Sequence, residues 1–193
     1  TEEYNGTSWT AGGDLSTTKR GNAGAGTQTA GLSFGGTPGG TDTNEYNGTS
    51  WTTGGAMTNG RFYLAGAGIQ TAALAIAGSG PSNKTEEYNG SSWTNGGNLN
   101  TGRRHLAAAG ITTAALAFGG DTPPSGTPGS TPTEQYNGST WTNTTSMSVA
   151  RFSFGGAGIQ TAALAFGGQG PPDTAATEEF TGAAPTTVTL SGS

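Results

Sequence analysis

Apolar residues in this chain come in short blocks whose period is two. In Ala72–Ile76, the residues Ala72, Leu74 and Ile76 share one face and Ala73 and Ala75 the other. Both faces are apolar, one large and one small, which predicts a strand buried on both sides within 69–77. Ala and Leu also favour helices. Glycines, however, bracket each such run at about nine residues, which leaves no space for a packed three-turn helix. A run of small residues, Ala65-Gly66-Ala67-Gly68, precedes the block and predicts a first strand that starts at the basic residue Arg61. Two further strands flank Asn47-Gly48, because Asn-Gly is the strongest short hairpin signal and suits a type I′ turn with positive φ at both central residues. A two-residue loop pairs Tyr46 with Thr49, and a four-residue loop keeps the same parity. Either way Tyr46 and Trp51 lie on one face, as an aromatic pair contributing about 0.5–1.5 kcal/mol beyond its area burial.

This four-strand pattern is written repeatedly. Glu-Tyr-Asn-Gly, two hydroxyl residues and Trp-Thr occur at 3–10, 45–52 and 87–94, and at 135–142 with Gln in first place. The tryptophans Trp9, Trp51, Trp93 and Trp141 stand 42, 42 and 48 residues apart, a period typical of solenoids, propellers or arrays. Ten residues after each Trp comes a basic residue: Lys19, Arg61, Arg103 and Arg151. Four-stranded antiparallel units packed face to face around an axis make a β-propeller, and crowding at the axis accounts for the small residues of each first strand. The expectation is one all-β domain over 1–193 with about four blades, at about 19–54, 61–96, 103–143 and 151–190. Residues 1–13 are an extra outer hairpin, an exposed edge that favours association. The ring either closes within the chain or belongs to a larger ring or array. Length differences fall in one loop, notably the Pro/Gly/Ser-rich insertion at 121–132.

Composition narrows the function classes. Gly (37) and Pro (9) make about a quarter of the chain, a mixture that on its own reads as low complexity. The fixed offsets of Trp and of the apolar blocks argue for a folded repeat instead. With no cysteine, disulfides and thiolate metal sites are excluded. Seven basic and twelve acidic residues leave a nearly uncharged Thr/Ser/Asn/Gly surface of net charge −5. Broad attraction to nucleic acid or to an anionic membrane is not expected, and the apolar runs are too short to cross a bilayer. The chain opens inside a repeat, so a mature product or a piece of something longer is expected.

The offsets resemble the Kelch repeat: a double Gly after a hydrophobic strand, then Tyr, then Trp, an apolar residue and Arg. Gly35-Gly36, Tyr46, Trp51, Met57 and Arg61 match it in order, as do Gly119-Gly120, Tyr136, Trp141, Met147 and Arg151. Ala77-Gly78 and Lys19 depart from it, and Thr177–Gly182 keeps the acid–aromatic–Gly core without Trp. The resemblance implies a Kelch-type propeller. It also includes copper radical oxidases, whose cysteine-modified tyrosine and several histidines this chain, with no Cys and one His, cannot supply. The wording Tyr-Asn-Gly-x-x-Trp-Thr, with Ala-Gly-Ile-Gln-Thr-Ala-Ala-Leu-Ala-Phe-Gly-Gly, is similar to repeats in virion proteins of tailed phages from aquatic environments.

Candidate chemistry is sparse. The basic column would ring one end of the central channel, where Arg61, Arg103 and Arg151 suit a carboxylate, phosphate or acidic glycan. The rival reading has each Arg bridging blades through loop carbonyls or a nearby Glu, since the Kelch resemblance carries this Arg whatever the ligand. Arg104 and the sole histidine, His105, complete the candidate binding set; no acid lies close to His105 in sequence. A lone His makes no metal site, and no cofactor is expected. The paired acids Glu2/Glu3, Glu86/Glu87 and Glu178/Glu179 invite a glycosidase reading. They recur with every repeat, however, and neighbouring strand residues face opposite ways, so no residue is assigned catalysis. The Asn-Gly-Thr/Ser sequences fit N-glycosylation, but the turn accounts for them. The expectation is a non-enzymatic structural and binding propeller of a phage virion (tail fibre, spike or capsid decoration). Its partners would be other virion proteins, copies of itself or a host-surface glycan, and its place virion or extracellular. The alternative is a secreted, lectin-like propeller with one sugar site per blade.

Overall fold

The computed structural model describes residues 1–79, 83–122, 129–170, 173 and 175–182. The fold is a four-bladed, all-β propeller whose strands are antiparallel throughout. A separate hairpin, β1 (Glu2–Tyr4) and β2 (Trp9–Ala11), comes first. Blade I contains β3 (Arg20–Thr27), β4 (Ala30–Thr37), β5 (Thr43–Tyr46) and β6 (Trp51–Thr53). Blade II contains β7 (Ala65–Ile69), β8 (Ala72–Ile76), β9 (Thr85–Tyr88) and β10 (Trp93–Asn95). Blade III contains β11 (Ala107–Ile111), β12 (Ala114–Phe118), β13 (Thr133–Tyr136) and β14 (Trp141–Thr144). Blade IV shows β15 (Gly155–Ile159), β16 (Ala162–Phe166) and β17 (Thr177–Thr181) among the described residues. The stretch at 183–190 that the sequence assigns to the end of blade IV lies outside them, as does half of the insertion, 123–128.

Each blade meets the next through its first strand, β3 against β7, β7 against β11 and β11 against β15. The approach is close: a methyl group on Gly66 would lie 2.4 Å from the Gly24 carbonyl oxygen, and one on Gly156 2.6 Å from the Ala107 side chain. The second strands supply the core. Ala73, Leu74, Ala75 and Ile76 are fully buried, as the two apolar faces require, and removing a Leu or Ile side chain from water is worth about 1.5–3 kcal/mol. At the seam, no comparable packing joins β15 to β3 among the described residues. The outward face of blade IV leaves Leu164 and Phe166 exposed.

Local details depart from the sequence expectation in three places. The first strands of blades II–IV begin four residues after the arginine, because Tyr63, His105 and Ser153 take positive φ (57°, 53° and 50°) and turn the chain there. The second strands are Ala72–Ile76 and its equivalents, with Gln70 and Thr71 in the preceding turn. The Asn-Gly hairpins close with four-residue loops, Tyr46 opposite Trp51. Only Gly48 has positive φ; Asn47 instead accepts the amides of Thr49 and Ser50 through Oδ1 at 3.0 and 2.9 Å. Asn therefore shapes the turn with its side chain. The predicted aromatic pairing holds in every hairpin, with Tyr–Trp ring centroids 4.8–5.2 Å apart.

Outer hairpins grip the preceding hairpin through polar bonds. Trp93 Nε1 donates to Thr43 Oγ1 at 2.9 Å, and Trp141 Nε1 to Thr85 Oγ1 at 3.0 Å. Tyr46, Tyr88 and Tyr136 donate their hydroxyls to Glu3, Glu45 and Glu87 of the preceding unit. Gln70 Nε2 reaches back to the carbonyls of Gly31 and Tyr46 at 3.0 and 2.7 Å, and Gln160 does the same to Ala115 and Tyr136. Burial, then the bond to the carboxylate, raises the hydroxyls of Tyr88 and Tyr136 to about 12. A raised folded value means that these groups stabilise the fold fully below the ordinary tyrosine value of 10.0, and that this contribution is lost as pH rises towards 12. Denaturant titrations should therefore lose stability across that alkaline window. The loss should shrink in a Tyr88→Phe/Tyr136→Phe variant, and an unchanged alkaline slope would refute the assignment.

Candidate functional site at the inner-strand mouth

The arginines of the basic column turn inward. Arg61, Arg103 and Arg151 are at most 1% exposed, and each pairs with the glutamate two residues before the blade's outer aromatic. Arg61 Nη1 donates to Glu86 Oε1 at 2.7 Å, Arg103 Nη2 to Glu134 Oε1 at 3.0 Å, and Arg151 Nη2 to Glu178 Oε1 at 2.7 Å. Further guanidinium hydrogens go to carbonyls, such as Ala75 for Arg61 and Ala176 for Arg151. The Nε of each arginine stays buried without a partner. Burial lowers Arg103 to about 10, with Glu134 opposing, so it remains charged at neutral pH. Glu178 is pushed up by burial but held below its ordinary value by the Ser148 hydroxyl and amide, the Val149 amide and Arg151. Each pair ties the loop before the first strand to the third strand of the same blade. Lys19 differs: Asn44 stands where the glutamate would be, and Lys19 Nζ pairs with Asp42 in the loop at 2.5 Å. Of the sequence's candidate binding set, Arg61, Arg103 and Arg151 are thus out of a ligand's reach.

Arg104 and His105 lie elsewhere, at the entrance to the inner strand. Twelve residues after each Trp the chain places Gly21, Tyr63, His105 and Ser153, and these carry a main-chain ladder between blades. The Tyr63 amide donates to the Gly21 carbonyl at 2.7 Å, His105 to Tyr63 at 2.8 Å and Ser153 to His105 at 2.9 Å. That ladder requires left-handed backbone, which glycine supplies at Gly21 (φ 64°) and three L-residues supply under strain. Such strain costs about 1–3 kcal/mol per residue and collects at functional sites.

The side chains here differ from blade to blade while the scaffold repeats. Phe62 packs on Tyr63 with centroids 4.9 Å apart, Tyr63 on His105 at 4.1 Å, and His105 on Phe152 at 6.0 Å. Asp121 binds both members of the basic pair, at 2.9 Å to Arg104 Nε and 2.7 Å to His105 Nδ1. No acid lies close to His105 in sequence, and the fold brings Asp121 to it from sixteen residues away. Asp121 arrives from the far end of the β11–β12 hairpin, where an antiparallel bridge sets it opposite Arg104. The signal was present in the repeat, since Thr37, Ser79 and Gln169 stand at the same offset from Trp and meet Arg20, Phe62 and Phe152. An ionised carboxylate only accepts, so Nδ1–H donates to Asp121, and Nε2 makes no hydrogen bond among the described residues. The mouth therefore offers a line of rings in edge-on and tilted contact, one oriented imidazole and one partly exposed guanidinium. Stacking and hydrogen bonding to a hydroxylated ligand are within its reach. Among the described residues no group of three or more His, Cys, Asp or Glu that could hold a metal ion is found.

The two kinds of arginine should separate by mutation. Glu134→Gln strands Arg103 in the interior, and urea denaturation should register a loss of about 3–5 kcal/mol. Arg104→Ala removes a half-exposed pair, and the same measurement should register less than about 1 kcal/mol.

No protein-family model and no curated protein matches the chain.

Proposed function

We propose that the chain is a non-enzymatic structural and binding propeller that serves in a tailed-phage particle, with its inner-strand mouth contacting a host-surface glycan. The observation that carries the binding part is the distribution of individuality. The recurring Arg–Glu and Tyr–Glu groups are engaged within the scaffold. The strained column Tyr63, His105 and Ser153 differs in every blade. Repetition suits a framework, whereas a ligand site needs side chains in one unrepeated arrangement. The exposed parts of the half-buried Tyr63 and His105 rings offer apolar contact to a sugar ring, and Arg104 and Asp121 can address its hydroxyls.

The phage part rests on the wording of the repeats, and the Kelch order of double Gly, Tyr, Trp, apolar residue and Arg supports kinship with that repeat class. Peptides of this chain in a purified phage particle, or virion genes beside its own, would uphold that part. Its absence from particles whose genome encodes it would remove it.

Binding is tested on an array of bacterial surface glycans with the intact chain. Retention should fall about tenfold or more in His105→Ala, a loss of at least about 1.4 kcal/mol, and stay level in Thr142→Ala on the outer hairpin. Stoichiometry near one per chain fits the mouth. Stoichiometry near the blade number would assign a lectin-like propeller with a sugar site per blade instead, and no retention on glycans or cells would sink both.

A further inference from the structure

The joint between blades III and IV lacks what the other joints share. Phe180 occupies the place of Tyr46, Tyr88 and Tyr136 and has no hydroxyl, and Gln135 replaces the glutamate that would receive one. Five residues past the aromatic, where the other repeats carry Trp51, Trp93 and Trp141, the fourth carries Pro185, a residue outside those described. A cavity of about 140 Å³ opens at this joint. Its walls include Phe118, Thr133, Met147, Ala163, Ala165 and Phe180. These correspond one for one to Phe34, Thr43, Met57, Ala73, Ala75 and Tyr88, which enclose Trp93 at the joint between blades I and II. There Phe34 packs on the indole with centroids 4.9 Å apart and Thr43 accepts its N–H. Thr133, in Thr43's place, makes no side-chain hydrogen bond among the described residues.

We propose that this cavity is a receptor for a tryptophan side chain, and that Trp9 of a second copy fills it. The hairpin β1–β2 has the shape of the hairpins that fill the equivalent cavities, with Tyr4 and Trp9 centroids 5.2 Å apart. Trp9 is 66% exposed, and Glu2, which occupies the position of Glu86 and Glu134, has no partner among the described residues. Thr1-Glu2-Glu3-Tyr4 repeats Thr177-Glu178-Glu179-Phe180 of β17. By displacing β17 from β16, in the register that sets Ala163 opposite Phe180, β1 puts Tyr4 in place of Phe180 as that wall of the cavity and Glu2 in place of Glu178 at Arg151. Trp9 then faces Phe118 and Thr133. On its own copy the hairpin stays attached to blade I through Glu3 with Tyr46 and through Trp51 Nε1, which donates to Thr1 Oγ1 at 2.9 Å. It therefore bridges two copies head to tail, a heterologous contact that propagates into rings or filaments.

Sedimentation of the intact chain over a broad concentration range tests this. The average mass should rise with concentration, and Trp9→Ala should weaken association by about tenfold or more. Ala163→Leu fills the cavity and should do the same. Thr133→Val keeps the shape of the wall and removes only the acceptor, so it guards against a misfolded Ala163→Leu; its expected weakening is about fivefold to tenfold. N-acetyltryptophanamide should bind the Trp9→Ala chain, and about fivefold to tenfold more weakly when Thr133→Val is added. A chain that stays monomeric at every concentration overturns the proposal, whether Trp9 emits as exposed or as buried by its own blade IV. So does association that survives Trp9→Ala, or failure of the indole probe to bind.

Discussion

The spacing between neighbouring inner strands governs the rest of this structure. Gly66 sits against the Gly24 carbonyl and Gly156 against Ala107, so side chains larger than a methyl are barred from much of the axis. Strands made of Ala and Gly bury little apolar area. The first three blades compensate further out, with the doubly buried Leu74 and Ile76 and their equivalents in blades I and III and with the Tyr–Trp couples at the rim. Directional polar bonds then fix how far one blade turns on the next, which apolar packing alone specifies loosely. Indole to threonine, tyrosine to glutamate and glutamine to carbonyl all run from one unit to its predecessor.

Most of the framework could be read from the residues because strand parity is a strict rule. Alternation in Ala72–Ile76 gave both-sided burial, and the even separation of Tyr46 and Trp51 put them on one face whatever the loop length. The turn between them was right in place and wrong in mechanism. Asn47 works by accepting two amides, a side-chain role that the dipeptide Asn-Gly does not distinguish from positive φ. The arginines illustrate a different obstacle. A basic residue at the start of each inner strand is equally compatible with a lined channel and with a buried pair. The choice depends on where the glutamate two residues before Tyr88 points, which only packing decides.

The site at the mouth was half legible. Arg104 and His105 stood out as the one local basic cluster, but Asp121 lies sixteen residues on and meets them only after β11 and β12 have paired. Tyr63 and Phe152 join the same cluster from other repeats, at the offsets of His105 and Arg104, and local sequence gives no hint of the stacking. The joint between blades III and IV was written in the chain as two coordinated changes, Gln135 and Phe180. Their connection becomes visible only once tyrosine is known to reach the preceding hairpin.

The left-handed ladder through Gly21, Tyr63, His105 and Ser153 uses main-chain atoms alone. With Tyr63, His105 or Ser153 attached there, the same amide meets the same carbonyl. A rigid frame and a rewritable face are thereby uncoupled within one short turn per blade. Side chains can change at that turn without renegotiating how the blades fit together.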